Sequence, residues 1–366
     1  MAGTVIEYLQ KYGDISFREK PLNDVDSLAL CQLSYLKFDG MVSDVRHNGP
    51  SVTLREIAER PDVDKLFGDV RFEKENRALF EGMLSGRRFR DMKLNCYINL
   101  VEKEWETQFS AITFILDDGT LFLAFRGTDE TIIGWKEDFN MAFLSPVPGQ
   151  EYSVKYVNMV TGWLHQPFYI GGHSKGGNLA VYAAMNASDE VKDRVERIYS
   201  LDGPGFPESV VNSFEYASVS DRIVKIVPDS SVVGMVLETP ERCMVVKSDV
   251  EGIMQHFAFS WQMHGGEFDK VEDVANSSVT FNKALNGWLS NLSKEQRERA
   301  VDALFAVLEA SGAGSISAMM AAGPKVIPEM LGTYVGLSVE DRRNLNQALG
   351  IMLQAALARN PKVRRR

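Results

Sequence analysis

The chain has 366 residues, 45% of them hydrophobic and 25% charged, with a formal net charge of −10 at pH 7. That length supports one large α/β domain plus an accessory unit around a substantial core, and the acidic balance argues against a nucleic-acid binder, the terminal Arg364-Arg365-Arg366 being a small, solvated exception. Met1 to Gly13 lacks the basic start and apolar run of a secretory signal, no stretch reaches transmembrane length, and Cys31, Cys96 and Cys243 fit reduced thiols rather than a disulfide frame or zinc site, so a cytoplasmic protein needing no metal or cofactor is expected.

In chain order, residues 1–108 read as a mainly helical flank, with Ser27 to Leu36 apolar at helical spacing and Val63 to Met83 charged and amphipathic. From Ala111 the period changes to two. Ile112 to Leu116, a turn at Asp117-Asp118-Gly119-Thr120, and Leu121 to Phe125 read as a β-hairpin that leads into Arg126-Gly127-Thr128. A helical stretch around Trp135 and an irregular Ser145 to Gly149 follow, then strands near Phe168 to Ile170, Ile198 to Leu201, Ile223 to Val227 and Met244 to Val246. Strands alternating with helices imply a mostly parallel sheet, with ligands beyond the carboxyl ends of its strands. Beyond Ser278 the pattern is helical again, at Leu285 to Leu292, Ala300 to Ala310 and Leu345 to Ala358, with the small-residue run Ser311 to Gly323 between.

Chemistry concentrates in Gly171-Gly172-His173-Ser174-Lys175-Gly176-Gly177. A strand before and an Ala-rich helix after make this a nucleophile elbow, in which Gly172 and Gly176 supply the lack of bulk that a sharp turn demands and Ser174 is pushed outward. His173, beside the serine on the strand, reads as a packed or hydrogen-bonded neighbour rather than its base. The base is sought downstream, where His256 comes first and His264 second. For the acid that orients it, Asp229 after the strand ending at Val227 is favoured, with Asp202 and Asp221 as competitors. The N–H of Lys175 and the N–H or hydroxyl of Thr128 are the candidate oxyanion donors, and Arg126, Trp135 and Asp138 are expected to hold the Thr128 loop by an ion pair and a packed ring.

Phe125-Arg126-Gly127-Thr128, Trp135, Asp138 and Gly172 to Ala180 together resemble the class 3 lipases, a branch of the α/β hydrolases, over roughly residues 108–262. With Asp24 to Ser27, Leu33 to Leu36 and His256 to Trp261 included, the whole chain is similar to a bacterial lipase-like family of unassigned function. The resemblance implies a Ser174, Asp229, His256 triad and an oxyanion hole at Thr128 and Lys175. Two departures are visible: Pro228 precedes Asp229 where those lipases have an Asp-x-Val-Pro pattern, and Lys175 replaces their Leu or Met, making the elbow more polar.

The resulting expectation is an α/β-hydrolase domain over residues 1–285 (flank 1–108, core 109–285) and a helical appendage over 286–366, hydrolysing a small-molecule ester or acyl lipid. Asn140 to Pro167 and Val232 to Gln255 are candidate lid or pocket segments, with Phe143, Tyr152, Met235 and Val236 lining the site or packing in the core. A thioesterase, peptidase or acyltransferase shares the same chemistry. The alternative of another class is a lipase-like scaffold whose C-terminal helices bind a partner, the small-residue run around Gly312 to Ala322 serving a helix contact or a homo-oligomer.

Overall fold

The computed structural model describes residues 3–47, 49–68, 70–102, 107–129, 132–141, 145–314 and 316–357. The side chains of Trp135, Asp138 and Phe143, and the terminal arginines, lie outside the described residues. Eleven strands run in chain order β1 (Val52–Thr53), β2 (Lys93–Glu102), β3 (Thr107–Ile115), β4 (Leu121–Phe125), β5 (Phe168–His173), β6 (Val195–Leu201), β7 (Ile223–Pro228), β8 (Met244–Val246), β9 (Met263–His264), β10 (Glu267–Phe268) and β11 (Lys270–Val271). Nine of them form one sheet in the order β1-β2-β3-β4-β5-β6-β7-β8-β11, and β9 and β10 form a separate hairpin.

The mostly parallel sheet expected from the sequence is not what forms. β4 to β8 are joined in parallel, but β1 to β4 and the β8–β11 edge are antiparallel, so with the β9–β10 hairpin five pairings among the described residues are antiparallel and four parallel. Connection length explains the split. A four-residue turn with Gly119 at φ +92° reverses β3 into β4, whereas β4, β5 and β6 are linked through the helices Pro148–Trp163 and Lys175–Met185, long enough to return the chain in the same direction.

The second correction lies in the N-terminal flank, which carries β1, β2 and the first residues of β3 besides its helices. β2 breaks its own signal: the register slips between Asn95 and Ile98, where Cys96 sits at φ +55°. A bulge interrupts the period-two alternation by which a strand is recognised.

Every residue of β4 is buried. Phe122 and Ala124 join a core with Leu28, Leu33 and Tyr199, while Leu121, Leu123 and Phe125 join another with Tyr156, Val160, Leu179 and Ala183. A strand covered on both faces reads as an unbroken apolar run, and burying each large side chain contributes about 1.5–3 kcal/mol. The helix Asp24–Leu33 is started by Asn23, whose side chain accepts from the N–H groups of Val25 and Asp26, while Asp26 returns a bond to the Asn23 N–H. The same Asp26 carboxylate is buried against Arg88 (2.9 Å from Nε), which also donates to the Ile15, Lys20 and Pro21 carbonyls and so pins the flank.

At the C-terminus the helices Asn276–Ser290, Lys294–Glu309 and Val339–Leu357 pack back onto the sheet domain. Val301 and Phe305 bury Ile132, with the Phe305 ring 5.6 Å from that of Phe139. The expected boundary between residues 285 and 286 therefore falls inside a helix whose neighbours are packed on the core.

Candidate active site

Ser174 occupies the turn between β5 and the helix Lys175–Met185 at φ +60°, ψ −133°, a conformation non-glycine residues rarely hold. Such strain, on the order of 1–3 kcal/mol, persists only where packing dictates it. Here the packing is backbone on backbone. A Cβ on Gly172 would lie 2.6 Å from the Phe125 carbonyl oxygen, and one on Gly176 would overlap the same oxygen. On the other side the loop after β4 presses in, a Cβ on Gly127 falling 2.6 Å from the His173 carbonyl oxygen and 3.1 Å from Ser174 Cβ. The elbow and the Thr128 loop thus fix each other, and the N–H of Lys175 stands at the positive end of a helix.

The structure pairs His256 with Asp202 and not with Asp229. His256 Nδ1 donates to Asp202 Oδ2 at 2.6 Å, which leaves Nε2 as the acceptor nitrogen. Asp202, fully buried just past β6 at φ +46°, also accepts from Ser231 Oγ (2.5 Å) and the Gly234 N–H (3.1 Å). Burial pushes its pKa upward, but the hydrogen bonds from His256 and Ser231 more than offset this and hold the carboxyl below the usual aspartate range, so it remains a carboxylate. Asp229, the acid favoured from the sequence, is a joint of the backbone: its N–H donates to the Val246 carbonyl, and its carbonyl accepts from Ala275. Asp221 is exposed, and His264 sits in the β9–β10 hairpin.

His173 is a hydrogen-bonded neighbour, as expected, with a defined task. Its ring is buried between Tyr35 Oη, 3.0 Å from Nδ1, and the main-chain carbonyl of His256, 2.9 Å from Nε2. A carbonyl can only accept, so Nε2 carries the proton and Nδ1 accepts from the tyrosine. Burial, with His256 next to it, lowers the His173 pKa to about 3. Unfolded, it would titrate near 6.5; above that pH both states are neutral, and between about 6.5 and 3 only the unfolded chain takes the proton. Stability is therefore expected to fall on acidification across that window with a contribution of about 1.4 kcal/mol per pH unit from this residue. Urea midpoints measured from pH 7 to 4 should show a shallower decline in His173→Gln than in the wild type; parallel declines would refute the assignment.

Lys175 does not make the elbow polar. Its ammonium is buried against Glu137 Oε2 (2.8 Å), the Gln108 carbonyl (2.8 Å) and Gln108 Oε1 (3.0 Å). Glu137 in turn accepts from the N–H groups of Gln108 (3.1 Å) and Gly149 (2.8 Å), tying the helix Ile132–Asn140 to β3 and to the start of the helix Pro148–Trp163. Sequence reasoning did not single out Glu137; the side chain of Asp138, expected to hold the Thr128 loop, lies outside the described residues. Arg126 donates from Nη2 to Asn99 Oδ1 at 2.9 Å.

Ser174, His256, Thr128 and Lys175 share the wall of one cavity of about 1010 Å³. The three C-terminal helices close it with Leu285, Trp288, Leu304 and Leu345, among others. Of the expected lining residues Val236 contributes, Tyr152 instead packs on Phe109 with ring centroids 5.8 Å apart, and Met235 is not on the wall. Among the described residues no group of side chains could hold a metal ion, and no helix is long and apolar enough to cross a membrane.

This is a mixed α/β protein in which a strained serine and a histidine paired with an aspartate meet at one cavity. The chain belongs to the family described as Mbeg1-like, whose pattern residues 83–306 match. Among solved structures it is similar to a crystal structure of M37 lipase, at 14% identity over 57% of this chain and 67% of that one, with a TM-score of 0.35. No curated protein matches it.

Proposed function

We propose that the protein is a serine hydrolase cleaving carboxylic esters of apolar acyl groups. The observation that carries this reading is the 2.6 Å bond from His256 Nδ1 to buried Asp202, at the cavity into which the strained Ser174 elbow opens. Ser174 Oγ attacks the ester carbonyl as His256 Nε2 takes its proton; Asp202 holds the imidazole in the tautomer that can accept it and stabilises the imidazolium. Negative charge on the carbonyl oxygen is met by the N–H groups of Lys175 and Thr128. The alcohol leaves with the proton from His256, and water repeats the sequence in reverse to free the acid and Ser174. A wall of leucine, valine and aromatic side chains favours an acyl chain over a peptide. That the C-terminal helices line the cavity beside Ser174 supports this reading over a scaffold whose helices stand apart.

A fluorophosphonate probe tests this directly. Intact and peptide mass spectrometry should find one adduct, on Ser174, in the wild type, none in Ser174→Ala, and labelling slowed by orders of magnitude in His256→Ala. A folded wild-type protein that takes up no probe would sink the proposal.

A further inference from the structure

We propose that the cavity recognises an anionic oxygen group on its ester, a phosphate or a carboxylate, through the Arg126 guanidinium. The inference deepens the hydrolase reading and rests on it for the reaction, though not for the binding.

Arg126 is 4% exposed and lines the cavity, two residues ahead of the candidate oxyanion donor Thr128. Of its five N–H donors, one bonds Asn99; the buried Nε has no hydrogen-bond partner, and Arg126 forms no ion pair among the described residues. The bonded route to negative charge runs through Asn99 Nδ2 to Asp39, an exposed residue off the cavity wall. A buried guanidinium without a counter-charge is costly to a fold, and a planar fork of donors suits the side-on approach of a carboxylate or phosphate.

Lys37, Arg71 and Arg297 line the cavity too, while Asp129 is its one lining carboxylate, and the Lys175 charge is already matched by Glu137. With apolar helices closing the remainder, the site fits an amphiphile that carries an acyl chain and an oxyanion close to the scissile ester.

The test is calorimetry on Ser174→Ala protein, which binds without turnover, using two matched pairs below their micelle concentrations. One pair is 1-dodecanoylglycerol 3-phosphate against 1-dodecanoylglycerol; the other is dodecanedioic acid monomethyl ester against methyl dodecanoate. The anionic member of at least one pair is expected to bind about tenfold to a hundredfold more tightly, the phosphate pair indicating a charged head and the carboxylate pair a charged acyl end. Adding Arg126→Met should abolish the preference, and Arg126→Lys, a second variant in case the first does not fold, should reduce it. Equal binding within both pairs, or a preference that survives Arg126→Met, overturns the proposal. Because no turnover is read, such a failure leaves the probe labelling of Ser174 untouched, and a failure of labelling leaves this measurement interpretable.

Discussion

Replacing Asp202 with asparagine is expected to lower kcat on a short-chain p-nitrophenyl ester by about four orders of magnitude, while Asp229→Asn stays close to wild type. The size of the effect follows from proton placement. Asp202 can only accept, so it fixes the proton of His256 on Nδ1 and keeps Nε2 free to act as base. An asparagine of the same shape can offer its N–H to Nδ1, which moves the histidine proton to Nε2 and blocks it. Ser231 Oγ and the Gly234 N–H already hold the other carboxylate oxygen, so the side chain cannot turn away from the conflict. Asp229 makes its described bonds through the main chain, which the substitution leaves intact. Steady-state kinetics with melting temperatures decides the matter: an active Asp202→Asn, or an Asp229→Asn as impaired as it, would show the pairing to be irrelevant to turnover.

Glu137→Gln is the second large effect, and it is one of stability, expected at about 3–5 kcal/mol. The Lys175 ammonium and the Glu137 carboxylate are 0% and 1% exposed, and removing one charge strands the other in the core beside Ser174. A double variant, Glu137→Met with Lys175→Met, should recover most of the loss, since apolar replacement of a whole buried pair is often neutral or stabilising. Chemical denaturation of the single and double variants measures both. If Glu137→Gln unfolds at the wild-type midpoint, the pair does not anchor the elbow.

Much of the local structure is legible in the chain. Leu121 to Phe125 and Met244 to Val246 are strands over the residues their apolar runs mark, and the elbow forms where two small residues flank a serine between a strand and an Ala-rich helix. These signals are local: side-chain bulk, period and turn chemistry act over a few residues. β2 was hidden by its bulge, and the C-terminal helices, though visible as helices, gave no sign that they line the cavity at the candidate site.

The acid shows why such things escape a linear reading. Asp202, Asp221 and Asp229 all lie near strand ends, and spacing alone cannot rank them; Asp202 is selected because β6 lies next to β5 in the sheet and its end places the carboxylate under His256. Glu137 and Asp138 are likewise adjacent in sequence, yet only the tertiary packing of the helix Ile132–Asn140 on β3 buries Glu137 against Lys175. By itself the sequence determined the elbow, the candidate nucleophile and the histidine expected to serve it, because each depends on residues a short distance apart or on chain order. The tertiary structure alone decided the histidine's partner, the neutralisation of Lys175, the unsatisfied edge of Arg126 and the enclosure of the cavity, because each depends on which side chains distant segments bring together when buried polar groups must find partners.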